Sequence, residues 1–426
     1  MVYVLNQLGQ PLMPTEDHRK VRLLLKHKAA AVVRRTPFTI RLTTRTKTYV
    51  QPVILGVDAG SKTIGLSAST EAKELFAAEA TPRSDVVNNL STRREFRRAR
   101  RNRKTRYRQP RFNNRVHSKH KGWLAPSVET KIQEHITVIK RSCGLLPISK
   151  VVVETAEFDL QLIKAVQDGK PVPQGEDYQK VEQLGFYNVR QYVFWRDGYT
   201  CQCCGAHRKG VKLHAHHLET RKTGGNSPDD QITLCEKCHK KFHKGLIQLP
   251  MLKKRKRPSM RDAAFMGIMR ETLVQRLRKE LPIPVIETKG YITKYTRTEL
   301  LKLNKTHAND ALAIAQGKHG FGITGLTVIP QQKRIYGIKP VRHHNRQMHR
   351  ATILKGGIRK SNQAPKYVKG FRLFDKVLFE GTECFIWGRR SRGSFLLKQL
   401  DGTKVKDGVG FKKLTLLERS SNYLIS

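Results

Sequence analysis

The chain has 426 residues, and its 83 lysines and arginines exceed its 34 aspartates and glutamates by a formal charge of +49. This excess excludes a free compact monomer as the working state and indicates a polyanionic partner, with nucleic acid as the first candidate. Hydrophobic residues make up 38% of the chain, which excludes wholesale disorder. The sequence has neither an apolar run long enough to cross a membrane nor the layout of a signal peptide, so we expect a cytoplasmic protein.

In chain order, the first elements are a small opening unit and a buried strand that ends in an acid. Residues 1–52 predict a strand at Val2–Leu5, a turn at Pro11-Leu12-Met13-Pro14, a short helix and a second strand. Residues 53–66 then predict a strand, a glycine turn and another strand, with Asp58 at the apex. An acid after such an apolar run is costly without a partner, so Asp58 is a candidate site residue.

An arginine-rich segment follows. Residues 93–115 contain twelve lysines or arginines and one acid, with Phe96, Tyr107 and Phe112 between them. A helix with cations around its whole circumference cannot pack on a protein core, so the segment is either a solvated charge run or lies along phosphates. The candidate RNA-binding residues are Arg93, Arg94, Arg97, Arg98, Arg100, Arg101, Arg103, Arg106 and Arg108.

Two further candidate acids, Glu154 and Asp310, lie after the arginine-rich segment. A helix is predicted at 127–143, and the apolar strand that follows ends in Glu154. After the basic linker at 253–257 come a helix near 261–280, a strand near 285–287 and a helix near 306–316 that contains His307 and Asp310. From about residue 336 onward, short alternating strands with glycines predict a small β barrel.

Five of the seven cysteines lie within residues 201–238, which indicates a metal site more than a disulfide framework. Cys201, Cys204, Cys235 and Cys238 form two Cys-x2-Cys pairs that can hold one tetrahedral zinc ion. Cys203 is a spare thiol. Without other functional residues nearby, this pattern would predict a structural zinc ribbon with no chemistry.

Histidines between and after these pairs point to catalysis. Residues 213–218 read Leu-His-Ala-His-His-Leu, a glycine turn precedes Asn226, and His239 and His243 share one face of a predicted helix. Over about residues 192–245, the arrangement resembles the HNH nuclease module, a ββα fold that holds one metal ion.

The resemblance implies that His217 is the general base, with His214 the next candidate, and that His216 is a metal ligand. His239 or His243, or both, would complete the metal site. The central asparagine of the family corresponds either to Asn226 or to Asp230, and the sequence leaves this choice open.

The scattered acids also follow a known order. This order resembles the RuvC type of RNase H fold. It consists of an aspartate on a strand (Asp58), a glutamate at the end of a strand (Glu154), and a His-x2-Asp motif on a helix (His307 and Asp310). In that fold three carboxylates converge to hold two divalent cations.

As a whole, the chain resembles the transposon-encoded IscB nucleases, relatives of the type II CRISPR effectors, and residues 11–14 match their PLMP motif. The implied fold is a multidomain α/β protein whose RNase H-like core is split by a bridge helix and an HNH insert with a zinc knot, before a small β-barrel-like domain. The predicted segments are PLMP 1–52, RuvC 53–90, bridge helix 91–120, RuvC 121–180, HNH 181–250, RuvC 251–330 and the C-terminal domain 331–426.

The resemblance further implies an RNA-guided DNA endonuclease that is a monomeric ribonucleoprotein. It would bind a structured omega RNA, cut the guide-paired DNA strand with HNH and cut the displaced strand with RuvC. The C-terminal domain would read a target-adjacent motif. The implied cofactors are two Mg²⁺ in the RuvC site, one Mg²⁺ in the HNH site and one structural Zn²⁺.

Two other classes of function fit part of the sequence. One is a protein-guided HNH endonuclease of the homing or restriction kind, with the RNase H portion as a scaffold. The other is a non-enzymatic RNA-packaging protein, which would leave the paired histidines and the three acids unexplained. Sequencing of co-purified RNA separates these alternatives from a guided nuclease.

Overall fold

The structure is a computed structural model that describes residues 1–101, 122–155, 189–207, 210–218, 231–249, 261–342, 356 and 364–426. The chain divides into two compact units, one formed by residues 1–159 and 266–426 and the other by residues 160–265. None of the helices in the described ranges combines the length and the apolar character needed to cross a bilayer.

The described ranges contain both helices and strands, with several strands in succession near each end of the chain. The helices are α1 (His18–Lys26), α2 (Val86–Arg101), α3 (Pro126–Cys143), α4 (Val189–Arg196), α5 (Glu236–His243), α6 (Arg261–Glu280), α7 (Gly290–Tyr295) and α8 (His307–Gln316). The strands are β1 (Tyr3–Leu5), β2 (Ala30–Arg34), β3 (Thr39–Leu42), β4 (Val53–Ala59), β5 (Ile64–Ser69), β6 (Glu74–Ala80), β7 (Ile148–Thr155), β8 (Leu213–His217), β9 (Gln231–Cys235), β10 (Val285–Lys289), β11 (Ile335–Pro340), β12 (Lys376–Phe379), β13 (Thr382–Arg390), β14 (Ser394–Lys398), β15 (Lys404–Gly410), β16 (Thr415–Glu418) and β17 (Tyr423–Ile425).

The first unit is built on a sheet whose strand order is β10-β7-β4-β5-β6-β11-β17. Strands β4, β5 and β6 pair antiparallel, while β7 is parallel to β4 and β10 is parallel to β7. Their apolar side chains are buried almost throughout, as expected for strands covered on both faces. This sheet brings the ends of β4 and β7 side by side.

Helix α8 lies directly on the sheet because a glycine makes room for it. A Cβ atom at Gly56 of β4 would lie 2.0 Å from the Ala311 carbonyl oxygen. The helix presents small alanine side chains, and residues 311–316 are all buried. Close packing of α8 on β4 fixes the position of every polar residue at the start of that helix.

A small N-terminal sheet with the order β1-β3-β2 packs with α1. The Tyr3 hydroxyl donates a hydrogen bond of 3.0 Å to the Leu75 carbonyl oxygen on β6, which connects this sheet to the core. The sequence analysis predicted β1 and β3 but missed β2. The sequence of β2 is Ala-Ala-Val-Val-Arg and three of its five residues are exposed, so it lacks the alternation of apolar and polar residues that marks a half-buried strand.

The C-terminal region forms an antiparallel sheet with the order β15-β14-β13-β12-β16 around an apolar core. Strands β15 and β16 are its edges, and closure of this sheet into a barrel stays a prediction. The flanking strands β11 and β17 belong instead to the core sheet, although both fall within the segment predicted as a separate domain. Asp375 is fully buried beside Arg372 and Arg419, which anchor the loop before β12.

The second unit contains the β8–β9 hairpin followed directly by α5, a ββα arrangement. In β8 the side chains of His214 and His216 share one face, because side chains alternate along a strand. The apolar core of the second unit includes Ile232, Leu234 and three of the four paired cysteines.

Candidate active sites

The core sheet places two predicted site residues directly opposite each other. Asp58 on β4 is the register partner of Glu154 on β7 in a parallel pair, so both side chains leave the sheet at the same level. The Asp58 side chain is 16% exposed. Two acids at the ends of adjacent apolar strands form a local concentration of negative charge.

Helix α8 adds His307 and Asp310 to these acids. Its first turn is capped by the Thr306 hydroxyl, which accepts a hydrogen bond from the Asn309 backbone N–H at 3.0 Å. The His307 Nδ1 and an Asp58 carboxylate oxygen are 2.6 Å apart. We call Asp58, Glu154, His307 and Asp310 the carboxylate site.

A glycine on β5 allows this close approach. A Cβ atom at Gly65 would lie 2.0 Å from the His307 carbonyl oxygen, so any larger residue would displace the start of α8. Gly65 is also the register partner of Asp58, which places the two features at one level of the sheet.

Arg297 pairs with Asp310 inside the carboxylate site, at 2.7 Å between Nε and Oδ1. It comes from a π-helical turn, Thr296–Leu300, that continues α7. Both side chains are largely buried, with the guanidinium side chain 10% exposed. The sequence analysis missed Arg297, because nothing in the pattern around position 297 distinguishes it from the many other arginines.

Two carboxyl groups of this site, those of Glu154 and Asp310, have raised pKa values. Burial raises the pKa of Glu154 to about 6, the Thr293 side chain lowers it, and the neighbouring carboxylates Asp58 and Asp310 raise it. Burial likewise raises the pKa of Asp310, although Arg297 opposes the rise. The hydrogen bond to Asp58 raises the pKa of His307.

Crowded oxygen ligands whose charges repel one another suit a hard divalent cation such as Mg²⁺. The donor set of the carboxylate site therefore fits the predicted magnesium.

Helix α3 holds the turn that follows Asp58. The His135 ring contacts the carbonyl oxygens of Gly60 and Lys131 at 3.1 and 2.7 Å, and the Lys131 ammonium donates to the Ser61 carbonyl oxygen at 2.9 Å. Burial lowers the pKa of His135 to about 4, although both carbonyl contacts oppose this shift because each favours a ring N–H. Sequence reasoning missed both residues, since they lie on a helix that looked purely structural.

In the second unit, the thiols of Cys201, Cys204, Cys235 and Cys238 lie within 4.8 Å of one another. The Cys238 backbone N–H donates to the Cys235 sulfur at 3.5 Å, at the start of α5. Burial raises the pKa of Cys201, but nearby backbone hydrogen-bond donors outweigh it and lower the value to about 7. These four thiols, with Cys203 outside the group, fit a tetrahedral zinc site.

The same hairpin and helix gather three imidazoles. One ring nitrogen from each of His216, His239 and His243 lies within 4.8 Å of the others, and we call this group the histidine cluster. Burial and the neighbouring histidines lower the pKa of His216 to about 4, which keeps a nitrogen lone pair free at neutral pH. The sequence left His239 and His243 as alternatives, whereas the structure brings both to His216.

The predicted general base lies on the same strand. Within the described residues, the buried Nε2 atoms of His214, His216 and His217 have no hydrogen-bond partner. Unpartnered buried nitrogens of this kind are expected where a metal ion or a substrate supplies the missing contact. Asn226 and Asp230, the alternatives for the central family position, lie outside the described residues.

The arginine-rich segment is described only in part. Helix α2 carries exposed Arg93, Arg94 and Arg98 and half-buried Phe96 and Arg97. Arg100 and Arg101 lie in the last turn of the helix, and Arg103, Arg106 and Arg108 fall outside the described residues.

Comparison with known families gives the class of the protein. Residues 2–180 match the RRXRR protein family, and residues 201–245 match the HNH endonuclease family. Residues 97–101 read Arg-Arg-Ala-Arg-Arg, the pattern that the first family name describes. The protein contains an HNH endonuclease domain. This domain confirms the predicted enzyme class, a nuclease, and together with the RRXRR region it supports the predicted resemblance to IscB- and Cas9-like HNH nucleases.

Solved structures and curated sequences add little beyond this. The chain is similar to Streptococcus thermophilus Cas9 in complex with the GGAA PAM and with the AGGA PAM, at 13% and 12% identity and TM-scores of 0.29 and 0.30. These alignments cover 45% and 46% of this chain and 26% of each Cas9 chain. For type II-C Cas9 from Actinomyces naeslundii the identity is 15% and the TM-score 0.15, over 47% of this chain and 30% of that one. The chain thus spans less than a third of the length of these proteins, and no curated protein matches it.

Proposed function

We propose that this protein is an RNA-guided DNA endonuclease that cuts the two strands of its target at two different sites. The observation that carries the proposal is the carboxylate site, a second constellation of nuclease type in a chain that already contains an HNH domain. A protein-guided HNH enzyme with a scaffold core has no need of such a site.

The strand order of the core supports an RNase H-like fold of the RuvC kind. Three antiparallel strands are followed by two parallel ones, with β4 in the centre carrying Asp58 and β7 carrying Glu154. Asp310 on α8 is the third carboxylate. Asp58, Glu154 and Asp310 would hold two Mg²⁺ ions, which supply charge stabilisation and a more acidic attacking water.

His307 assists the cleavage of the displaced strand in this proposal. Its Nδ1–H donates to Asp58, which fixes the ring and leaves Nε2 to accept a proton from the attacking water. Glu154 and Asp310 would hold the cations that bind the phosphate, since a carboxylate repels a phosphate directly.

The HNH domain cuts the guide-paired strand. His217 takes the proton of the attacking water, and His216, His239 and His243 hold the divalent cation that HNH endonucleases use. The four-cysteine group carries a structural zinc ion that stabilises the ββα module.

The partner is a structured guide RNA of the omega class, paired with one strand of duplex DNA. The net charge of +49 and the exposed arginines of α2 support this interpretation, because counterion release from phosphates drives such binding. Base pairing of the guide, and not the protein, would then define the target.

Recovery and sequencing of RNA bound to the purified protein tests the proposal. We expect one long structured RNA with a variable end, and cleavage of a duplex that matches this end but not of a scrambled duplex. Absence of bound RNA, together with cleavage at a fixed DNA sequence, would instead establish a protein-guided enzyme.

A further inference from the structure

The histidine cluster has an unusual donor set for a magnesium site. Within the described residues its ligand atoms all come from imidazoles, those of His216, His239 and His243. Magnesium prefers oxygen ligands and keeps several of its waters, whereas imidazole suits zinc, nickel, copper and iron. The donors present therefore do not fit the magnesium ion that the family resemblance implies for this module.

The surroundings of the cluster strengthen this mismatch. His216 is 7% exposed, and the Phe242 ring lies edge-on to its imidazole at 4.6 Å between centroids. The His214 ring stacks on His239 at 4.8 Å with an interplanar angle of 17°. These rings offer no oxygen ligand, while exposed His243 leaves one side of the cluster open to solvent and substrate.

The acid on the same helix does not complete an oxygen-rich site. Glu236 at the start of α5 forms an ion pair with Lys240, at 2.9 Å between Oε1 and Nζ. The buried Nε2 of His216 meanwhile has no hydrogen-bond partner among the described residues, a cost that a bound transition ion would remove.

We propose that the histidine cluster is a site for a divalent transition-metal ion of the zinc, cobalt or nickel class, and that magnesium serves the carboxylate site alone. The role of this ion in cleavage rests on the proposed function, but its chemical class depends only on the donor set. One chain would then use three kinds of metal site: four thiolates, three imidazoles and a group of carboxylates.

Cobalt(II) distinguishes the thiolate site from the imidazole site in the full-length protein. Thiolate ligands give cobalt an intense charge-transfer absorption in the near ultraviolet, whereas imidazole ligands contribute only weaker visible bands. After exchange into cobalt, we expect the parent protein to bind one more ion per chain than His239→Ala. The near-ultraviolet band should be unchanged in that variant, which shows that the module is still folded.

The matched control is His207→Ala, because His207 is an exposed histidine of the same unit that lies outside the cluster. This variant should bind as much cobalt as the parent. In a large excess of Mg²⁺, the parent should still hold one more cobalt ion per chain than His239→Ala. Equal cobalt content in the parent and in His239→Ala, or displacement of the cluster's cobalt by Mg²⁺, would overturn the inference.

Binding is measured without RNA or DNA, so the two proposals fail separately. A protein that keeps the histidine-dependent cobalt ion but never cuts DNA would contradict the proposed function and support this inference. A guided nuclease whose histidine cluster exchanges cobalt for Mg²⁺ would do the reverse.

Discussion

Arg297 holds a positive charge 2.7 Å from Asp310 inside the carboxylate site. It lowers the pKa of Asp310, which burial and the charge of Asp58 raise. A metal-binding carboxylate must be ionised to act as a ligand, so Arg297 keeps Asp310 available at lower pH. We regard Arg297 as a positioning residue because its contact is with Asp310 and not with the substrate.

Replacing Arg297 with Gln should therefore shift the acidic limb of displaced-strand cleavage to higher pH. A shift of one pKa unit lowers the ionised fraction about tenfold on the acid side. The measurement is the pH dependence of displaced-strand nicking, which should recover at high pH and be restored in part by Arg297→Lys. Arg278→Gln, which breaks an exposed ion pair with Glu287, is the control. A uniform loss of rate at every pH would show that Arg297 is only structural.

At the residue scale, the sequence predicted the acids and histidines of the candidate sites but not the residues that hold them in place. Asp58 and Glu154 stand out because each follows an apolar run, and the cysteine and histidine spacings are short enough to read along the chain. Arg297 and His135 act through contacts with Asp310 and the Gly60 carbonyl oxygen, across 13 and 75 positions. No local pattern encodes such contacts.

Helix α8 can reach Asp58 only because position 65 has no side chain. Gly65→Ala would place a Cβ atom 2.0 Å from the His307 carbonyl oxygen, so the helix must move. We expect a loss of about 1–3 kcal/mol of stability and a strong loss of displaced-strand cleavage, with guide-paired cleavage retained. Thermal unfolding and strand-resolved assays measure both effects.

The matched control is Gly325→Ala, where an added Cβ atom meets open space. This variant should behave as the parent. Normal displaced-strand cleavage by Gly65→Ala would mean that the position of His307 is not critical.

Helix α3 contains a buried acid that makes stability depend on pH. Glu134 is 6% exposed and accepts a hydrogen bond from the Arg83 backbone N–H at 2.8 Å. Burial raises its pKa to about 7, although the contact with Arg83 lowers it. Because the folded pKa lies above the unfolded one, Glu134 should cost stability increasingly as the pH rises from about 4.5 to 7.

Glu134→Gln removes this ionisation and keeps a side-chain acceptor for the Arg83 N–H. The variant should match the parent near pH 4.5 and exceed it by about 2–3 kcal/mol at pH 8. Thermal midpoints across this range test this prediction, with Glu71→Gln, which changes an exposed acid between β5 and β6, as the control. A difference between Glu134→Gln and the parent that is constant with pH would contradict it.

At the scale of elements, the apolar strands that carry Asp58 and Glu154 and several of the helices were predictable, whereas strand partners were not. Strands β11 and β17 join the core sheet although they flank the C-terminal β region in sequence. Strand β2 was missed because of its local sequence, in which apolar and polar residues do not alternate. Pairing across long sequence separations depends on the fold as a whole.

For the whole molecule, the excess positive charge should act through helix α2. Replacing Arg93, Arg94 and Arg98 with Gln should lower the salt dependence of guide RNA binding by up to about one unit of slope per arginine. In the proposed function both sites depend on one bound RNA, so cleavage of both strands should fall together. Filter binding over a range of salt concentrations measures the slope.

The control changes the same charge elsewhere. Arg19, Lys20 and Lys26 lie on α1, and their replacement with Gln removes three charges without touching α2. An equal change of slope in both triple variants would show that net charge alone drives binding. Loss of cleavage at only one strand would make α2 a local DNA contact.

The central claim is that two independent sites cut opposite strands, and strand-resolved cleavage of a duplex matched to the bound RNA tests it most directly. Each strand carries its own label, and the parent is compared with Asp58→Ala, His217→Ala and the exposed-acid control Glu71→Ala. We predict that Asp58→Ala nicks only the guide-paired strand and His217→Ala only the displaced strand, each with the other cut reduced by orders of magnitude. Normal cleavage of both strands by Asp58→Ala, or loss of both cuts in either variant, would contradict the account.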